Sequence, residues 1–233
     1  MRDRTTARVV GVLFIVASVA AVVGGTLLLP SVGVNYLVEA ADHEIQVVSG
    51  ASLEVVQAMA VIGIAVMLFP VLKRRNEGLA LGFVGARTVE GVLTLAGTVS
   101  ALAILTSSQS YGQPGVAGAE PLGDTLVAAR EWSYRLGPML MFGVSALILY
   151  TLLYRAELVP AWLSIWGFAG GALLQVRTVL EMYGREFSPA MQGLFAAPIG
   201  LNEMVLAVWL IVKGFKATAS TAEPERQPAV VGG

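Results

Sequence analysis

Two short clusters of polar side chains stand where the surrounding sequence leaves them little polar company. Arg87 and Glu90 are three residues apart, so they share one helical face, within a run that is mostly Gly, Ala, Val, Leu and Thr. Asn202 and Glu203 interrupt a second apolar run, Leu194 to Val212. If both runs cross a bilayer, Arg87 and Glu90 lie roughly 12–16 Å from one end of theirs at ~1.5 Å per residue. Asn202 and Glu203 reach a similar depth from the other side. An ionised group there costs ~2.5–3.5 kcal/mol even on the gentlest insertion scale, so each needs a partner or a task. One guanidinium serves two carboxylates, which leaves one carboxylate formally unmatched. An unmatched carboxyl in low dielectric tends to keep its proton. In that form it is a general acid, a proton carrier or a hydrogen-bond donor to a ligand. Glu90 and Glu203 are therefore the catalytic candidates, and with Arg87 and Asn202 they form the centre of a ligand-binding set. A shallower group extends it: Glu54 and Gln57 at the start of one run, and Gln175, Arg177 and Glu181 at the end of another. The plainer alternative is that Arg87 neutralises either glutamate and the pair only glues helices together.

The elements that must position these residues follow from composition. Of 233 residues, 56% are hydrophobic and only 13% charged, about half the charged fraction of a soluble domain, roughly 25%. Mean hydropathy is +0.74. Six apolar runs are long enough to cross ~30 Å of hydrocarbon: Val9 to Leu29, Leu53 to Leu72, Leu79 to Leu105, Leu136 to Tyr154, Leu158 to Val176 and Leu194 to Val212. The first follows three arginines but exceeds a signal-peptide core of ~7–15 residues, so it is expected to be a retained span. The fold class is thus all-α, a polytopic bundle of six transmembrane helices. Residues 1–216 are expected to form this domain, and 217–233, rich in Ala, Thr, Glu, Pro and Gly, a disordered cytoplasmic tail. Ser107 to Pro121 has the composition of a mobile loop. Pro160 would sit in the first turn of the fifth span, where a missing N–H does no harm.

Between the first two spans, Val34, Leu37, Val38, Ala41, Ile45 and Val48 recur at helical spacing with polar residues between, which predicts an amphipathic helix in the outer interface. Asp124 to Arg135 extends the fourth span outward, with Glu131 and Arg135 paired at i,i+4. Tyr36, Trp132, Tyr134 and Tyr183 would mark the outer aromatic belt, and Tyr154, Trp162, Trp166 and Trp209 the inner half. Orientation follows the basic residues. With the amino terminus inside, Arg2, Arg4, Arg8, Lys73, Arg74, Arg75, Arg155, Lys213 and Lys216 fall on the cytoplasmic side. Arg130, Arg135 and Arg185 fall outside, and Arg177 at the boundary, a positive-inside bias. The expected home is a prokaryotic plasma membrane, with both termini cytoplasmic.

Absences narrow the chemistry. A net charge of −1 gives no basic face for nucleic acid. Zero cysteines exclude disulfides, thiolate metal sites and a cysteine nucleophile. His43, the single histidine, sits beside Glu39, Asp42 and Glu44 and reads as a solvated surface residue, so no metal site and no cofactor are expected. Phosphate-cradling, zinc-protease, hydrolase-elbow and Asp-rich diphosphate motifs are missing. Gly78 and Gly82 make a small-xxx-small step, ordinarily a close helix contact. Arg87-Thr88-Val89-Glu90 and Arg177-Thr178-Val179-Leu180-Glu181 look alike and hint at repeated hairpins.

Three motifs carry a family resemblance. They are Arg87-x-x-Glu90, the Leu153-Tyr154-Arg155…Leu158-Val159-Pro160 turn, and Glu203 followed by Trp209-Leu210-Ile211-Val212-Lys213-Gly214. Together they resemble a bacterial six-span membrane family catalogued as a domain of unknown function, number four-three-eight-six, over nearly the whole chain to about Lys216. The resemblance implies the topology, singles out Arg87, Glu90 and Glu203, and implies no activity.

Three functions fit. The first is a bundle that binds or transports a small amphiphile or membrane lipid in an outer-leaflet-facing polar cavity. The second is an intramembrane enzyme using Glu90 and Glu203 as acid and base on an isoprenoid-like substrate. The third is a non-catalytic scaffold with structural ion pairs.

Overall fold

The computed structural model describes residues 2–111 and 119–216. Every long apolar run becomes a helix, because backbone polar groups in hydrocarbon must be satisfied within the segment. The elements are α1 (Arg2–Leu27), α2 (Tyr36–Asp42), α3 (Glu44–Leu72), α4 (Glu77–Ser110), α5 (Ala119–Tyr134), a π-helical segment (Arg135–Met141), α6 (Phe142–Arg155), α7 (Ala161–Met182) and α8 (Pro189–Val212). Six spans of 22–36 residues are long and apolar enough to cross a membrane, with α5, the π-segment and α6 forming one of them. There is no strand among the described residues.

The spans close a ring in which α1 packs on α3, α3 on α4, α4 on α5 and α6, α6 on α7, α7 on α8, and α8 back on α1. The ring is sealed where small residues let backbones approach. A Cβ on Gly11 of α1 would come within 2.6 Å of the Ala207 carbonyl on α8, and one on Gly170 of α7 within 2.9 Å of the Ile199 amide. Gly50 of α3 sits similarly tightly against Gly24 of α1 and Leu28 just beyond its end. Gly78 and Gly82, by contrast, meet nothing nearer than 3.5 Å, so the step expected to be a helix contact is not one. A main core around Phe14, Ile64, Phe83, Leu149 and Leu206 fills the half of the ring that carries Arg4, Lys73, Arg155 and Lys213, called here the basic end. A smaller core around Leu28, Leu37, Ala40, Val47 and Ile104 caps the far end.

Several expectations need correction at that far end. The amphipathic pattern over Val34 to Val48 is not one interfacial helix. His43, with φ −117° and ψ 33°, ends α2 and caps α3, so Ile45 and Val48 begin the second span. Only Tyr36–Asp42 lies as a separate helix, and Tyr36 is not a belt residue: it is 9% exposed. Its hydroxyl donates to Asp124 Oδ1 at 2.7 Å and lies 3.2 Å from the Glu120 carbonyl oxygen. Ser107 to Ser110, expected to be loop, completes α4, and α5 begins at Ala119. Ser108 is the reason the helix continues there: its hydroxyl donates to the Leu37 carbonyl at 2.7 Å and accepts from the Ala41 amide at 2.9 Å, tying α4 to α2. The rest of that loop, 112–118, and the expected tail, 217–233, lie outside the described residues. Pro160 caps α7 rather than entering its first turn.

Candidate functional site

Among the described residues Arg87 is one of the largest side chains to be fully buried, 2% exposed. It reaches from α4 towards α8. Nη1 donates to both carboxylate oxygens of Glu90, at 3.3 and 3.2 Å, and Nη2 to Glu203 Oε1 at 3.1 Å. The rings of Phe142, Phe83 and Phe14 surround the guanidinium, 5.0, 5.8 and 5.9 Å from its carbon. Such rings face a cation with their negative π-cloud and shelter it from lipid at little desolvation cost. Arg87 Nε, buried, has no partner. Tyr150, 1% exposed, stands within electrostatic reach of Glu203 and Arg87, its hydroxyl unpartnered. The triad therefore carries one net negative formal charge, with Glu203 Oε2 accepting no hydrogen bond from any described residue.

The triad is the floor of a cavity of about 660 Å³ that runs towards the far end. This falls within the roughly 300–1,000 Å³ typical of small-molecule sites. One wall is a stripe of mostly small residues on α1, Ala17, Ser18, Ala21, Val22, Gly25 and Thr26, and another is Ala196 and Gly200 on α8. Gly25 and Gly200 border open space. Helices α1 and α8 thus touch near Gly11 and Ala207 but part towards the far end, which leaves a wedge-shaped opening between them.

The opposite wall is built on a distortion. Arg135–Met141 is π-helical and contains Pro138, which has no N–H to donate to the preceding turn. The Phe142 amide instead bonds the Gly137 carbonyl five residues back. A π-turn of this kind is frequent at functional sites because it re-aims side chains. Here it turns Tyr134, Pro138, Met139 and Phe142 into the cavity. Gly137 lets the turn press on α4 beside Glu90, since a Cβ there would meet Leu93 at 2.7 Å.

At the mouth, Arg130 Nη1 and Nη2 bind the two oxygens of Glu54 at 3.2 and 2.8 Å, and Nη1 also donates to the Gly97 carbonyl. Thr98 donates to the same carboxylate at 2.7 Å. Glu131 lines the cavity and lies 3.5 Å from Arg135.

The sequence candidates therefore divide. Arg87, Glu90, Glu203, Glu54 and Gln57 line the cavity; Asn202, Gln175, Arg177 and Glu181 do not. Asn202 donates to the Leu163 carbonyl at 2.9 Å and joins α8 to α7. Gln175 donates to the Leu140 carbonyl and holds the π-segment. Arg177 pairs with Glu181 at 2.8 Å and donates to the Gln192 carbonyl, which fixes the start of α8. Each arginine pairs with a carboxylate on its own helix and reaches α8, but Arg87 meets a second carboxylate there and Arg177 a backbone carbonyl, so the two similar motifs do different work. Sequence reasoning missed Arg130, which it placed only on the outer side, on the outward extension of the fourth span; Glu54, with no cation on its own helix, was the signal that one had to arrive from elsewhere. It also missed the Phe14, Phe83 and Phe142 cage and Tyr150, because lone aromatics in apolar runs read as ordinary packing.

Six apolar helices closed around a charged cavity define a multi-pass integral membrane protein. Residues 9–214 match the family described as Domain of unknown function (DUF4386), and the chain belongs to that family. No curated protein and no solved structure matches it.

Proposed function

We propose that this protein is a bundle that binds or transports a small amphiphile or lipid, with Arg87, Glu90 and Glu203 as the polar floor of its site. The observation that carries the reading is the cavity itself. It is apolar along α1 and α8, open between them, and ends on buried charge, which matches a molecule with an apolar body and one polar end. Ionisable residues enclosed at membrane depth by default mark a ligand or ion path. With the basic end cytoplasmic, as the distribution of Lys and Arg favours, the opening faces the outer leaflet of a prokaryotic plasma membrane.

The test uses Glu90→Gln and Glu203→Gln, which keep shape and remove charge. Mass spectrometry of the purified proteins reads what each retains, and size-exclusion chromatography reads folding. Both variants folded but stripped of a molecule that the wild type carries is the expected result. A wild type that carries nothing, or variants that retain the same molecule undiminished, overturns the reading. A second reading, acid–base chemistry on an isoprenoid-like substrate, is favoured by one feature: two carboxylates from different helices meet at the cavity floor, one with a free oxygen. It requires a chemically altered product in the same spectra.

A further inference from the structure

Resting on the binding reading above, we infer that the polar end of the ligand is cationic, an amine or quaternary ammonium group rather than a phosphate or carboxylate. The charge lining the cavity has a sign. Glu54, Glu90, Glu131 and Glu203 face Arg87 and Arg130. Counted with every carboxyl ionised, and with Glu131 credited to its neighbour Arg135, one formal negative charge is left unbalanced.

The two arginines are not free to receive an anion. Both terminal nitrogens of Arg130 are spent on Glu54 and the Gly97 carbonyl. Three of the five N–H groups of Arg87 point at Glu90 and Glu203, and aromatic rings sit around its guanidinium, leaving Nε–H and the second Nη2 hydrogen buried among those rings. An anionic head would have to break one of these pairs and would meet the remaining carboxylates. A cationic head breaks nothing. Glu203, 8% exposed, presents Oε2 to the cavity with no donor on it, and a cation there restores neutrality at the floor. Tyr134 lines the adjoining wall, an aromatic side chain of the type that ammonium groups favour.

The experiment is equilibrium dialysis of the full-length protein in nanodiscs of digalactosyldiacylglycerol, a bilayer lipid without an ammonium group, with empty nanodiscs subtracted. Three probes share one tail: hexyltrimethylammonium, hexyl glucoside and hexyl sulfate. The expected order is cation first, at least about tenfold tighter than the neutral probe, which is ~1.4 kcal/mol, with the sulfate weakest. In Glu203→Gln the preference for the cation over the neutral probe falls at least threefold. If that variant does not fold, the wild-type ratio alone decides. Neutral or sulfate probes bound as tightly as the cation overturn the charge inference while leaving the cavity reading intact. No probe bound above the empty-disc background overturns both.

Discussion

Replacing Arg87 with Met leaves a side chain of similar reach in the Phe14, Phe83 and Phe142 cage but removes the charge that two carboxylates share. Glu90 loses both of its contacts to Nη1 and Glu203 its contact to Nη2. Both are then buried acids without a cation. Breaking one partner out of a buried ion cluster costs ~3–5 kcal/mol, whereas replacing the whole cluster with apolar groups of similar volume is often neutral or stabilising. We therefore expect Arg87→Met to lose ~3–5 kcal/mol, and the triple variant Arg87→Met, Glu90→Leu, Glu203→Leu to regain most of it. Reversible unfolding in mixed micelles titrated with dodecyl sulfate measures both. The same purified proteins, assayed for bound amphiphile, separate glue from site: the triple variant should be stable and empty. A single Arg87→Met variant as stable as wild type refutes the account of the triad, because it would mean that water or lipid headgroups already solvate these charges.

Other outcomes follow from the same geometry. Arg130→Met should loosen α5 from both α3 and α4, since it removes the bonds to Glu54 on α3 and to the Gly97 carbonyl on α4; hydrogen exchange in α5 should rise by at least tenfold while that in α7 is unchanged. Burial, and then the hydrogen bond to Asp124, push the Tyr36 hydroxyl up to about 12. Its folded-state value is raised, so its contribution is complete below the unfolded value of about 10 and is lost as pH rises from there towards about 12. Tyr36→Phe should flatten that alkaline loss in a pH series of thermal melts and cost ~0.5–1.5 kcal/mol at neutral pH. The native chain has no cysteine, so Arg75→Cys and Glu186→Cys, both at exposed positions, report topology directly. A membrane-impermeant maleimide applied to intact cells should label the second and spare the first.

Much of the architecture was legible because a bilayer imposes one requirement on length and another on polarity. Runs such as Val9 to Leu29 and Leu194 to Val212 have few alternatives to a spanning helix, and Arg87 with Glu90 three residues on was conspicuous for the same reason. The pairing of Arg87 with Glu203 across two helices was half legible, since charge balance demands a partner but does not say which one. What stayed hidden depended on tertiary packing. The stripe of small residues on α1 from Ala17 to Thr26 reads as a contact face, and only its separation from α8 makes it the wall of an opening. The π-turn at Arg135–Met141 had a signal in Gly137-Pro138, but that dipeptide predicts a kink, not which residues it re-aims. Asn202 and Gln175 looked like ligand groups because they are amides in apolar runs. Each instead binds a backbone carbonyl on the neighbouring helix or π-segment, and that carbonyl's position is set by packing.

The central claim is that the opening between α1 and α8 admits a molecule to the charged floor. Gly200 lines the cavity and borders open space, so Gly200→Trp fills the opening while leaving Arg87, Glu90 and Glu203 themselves in place. Native mass spectrometry of wild type and this variant, purified side by side, is the most direct measurement. The account expects a bound amphiphile on the wild type and an equally folded variant without it. An identical adduct on both proteins, or a bare wild type, contradicts it.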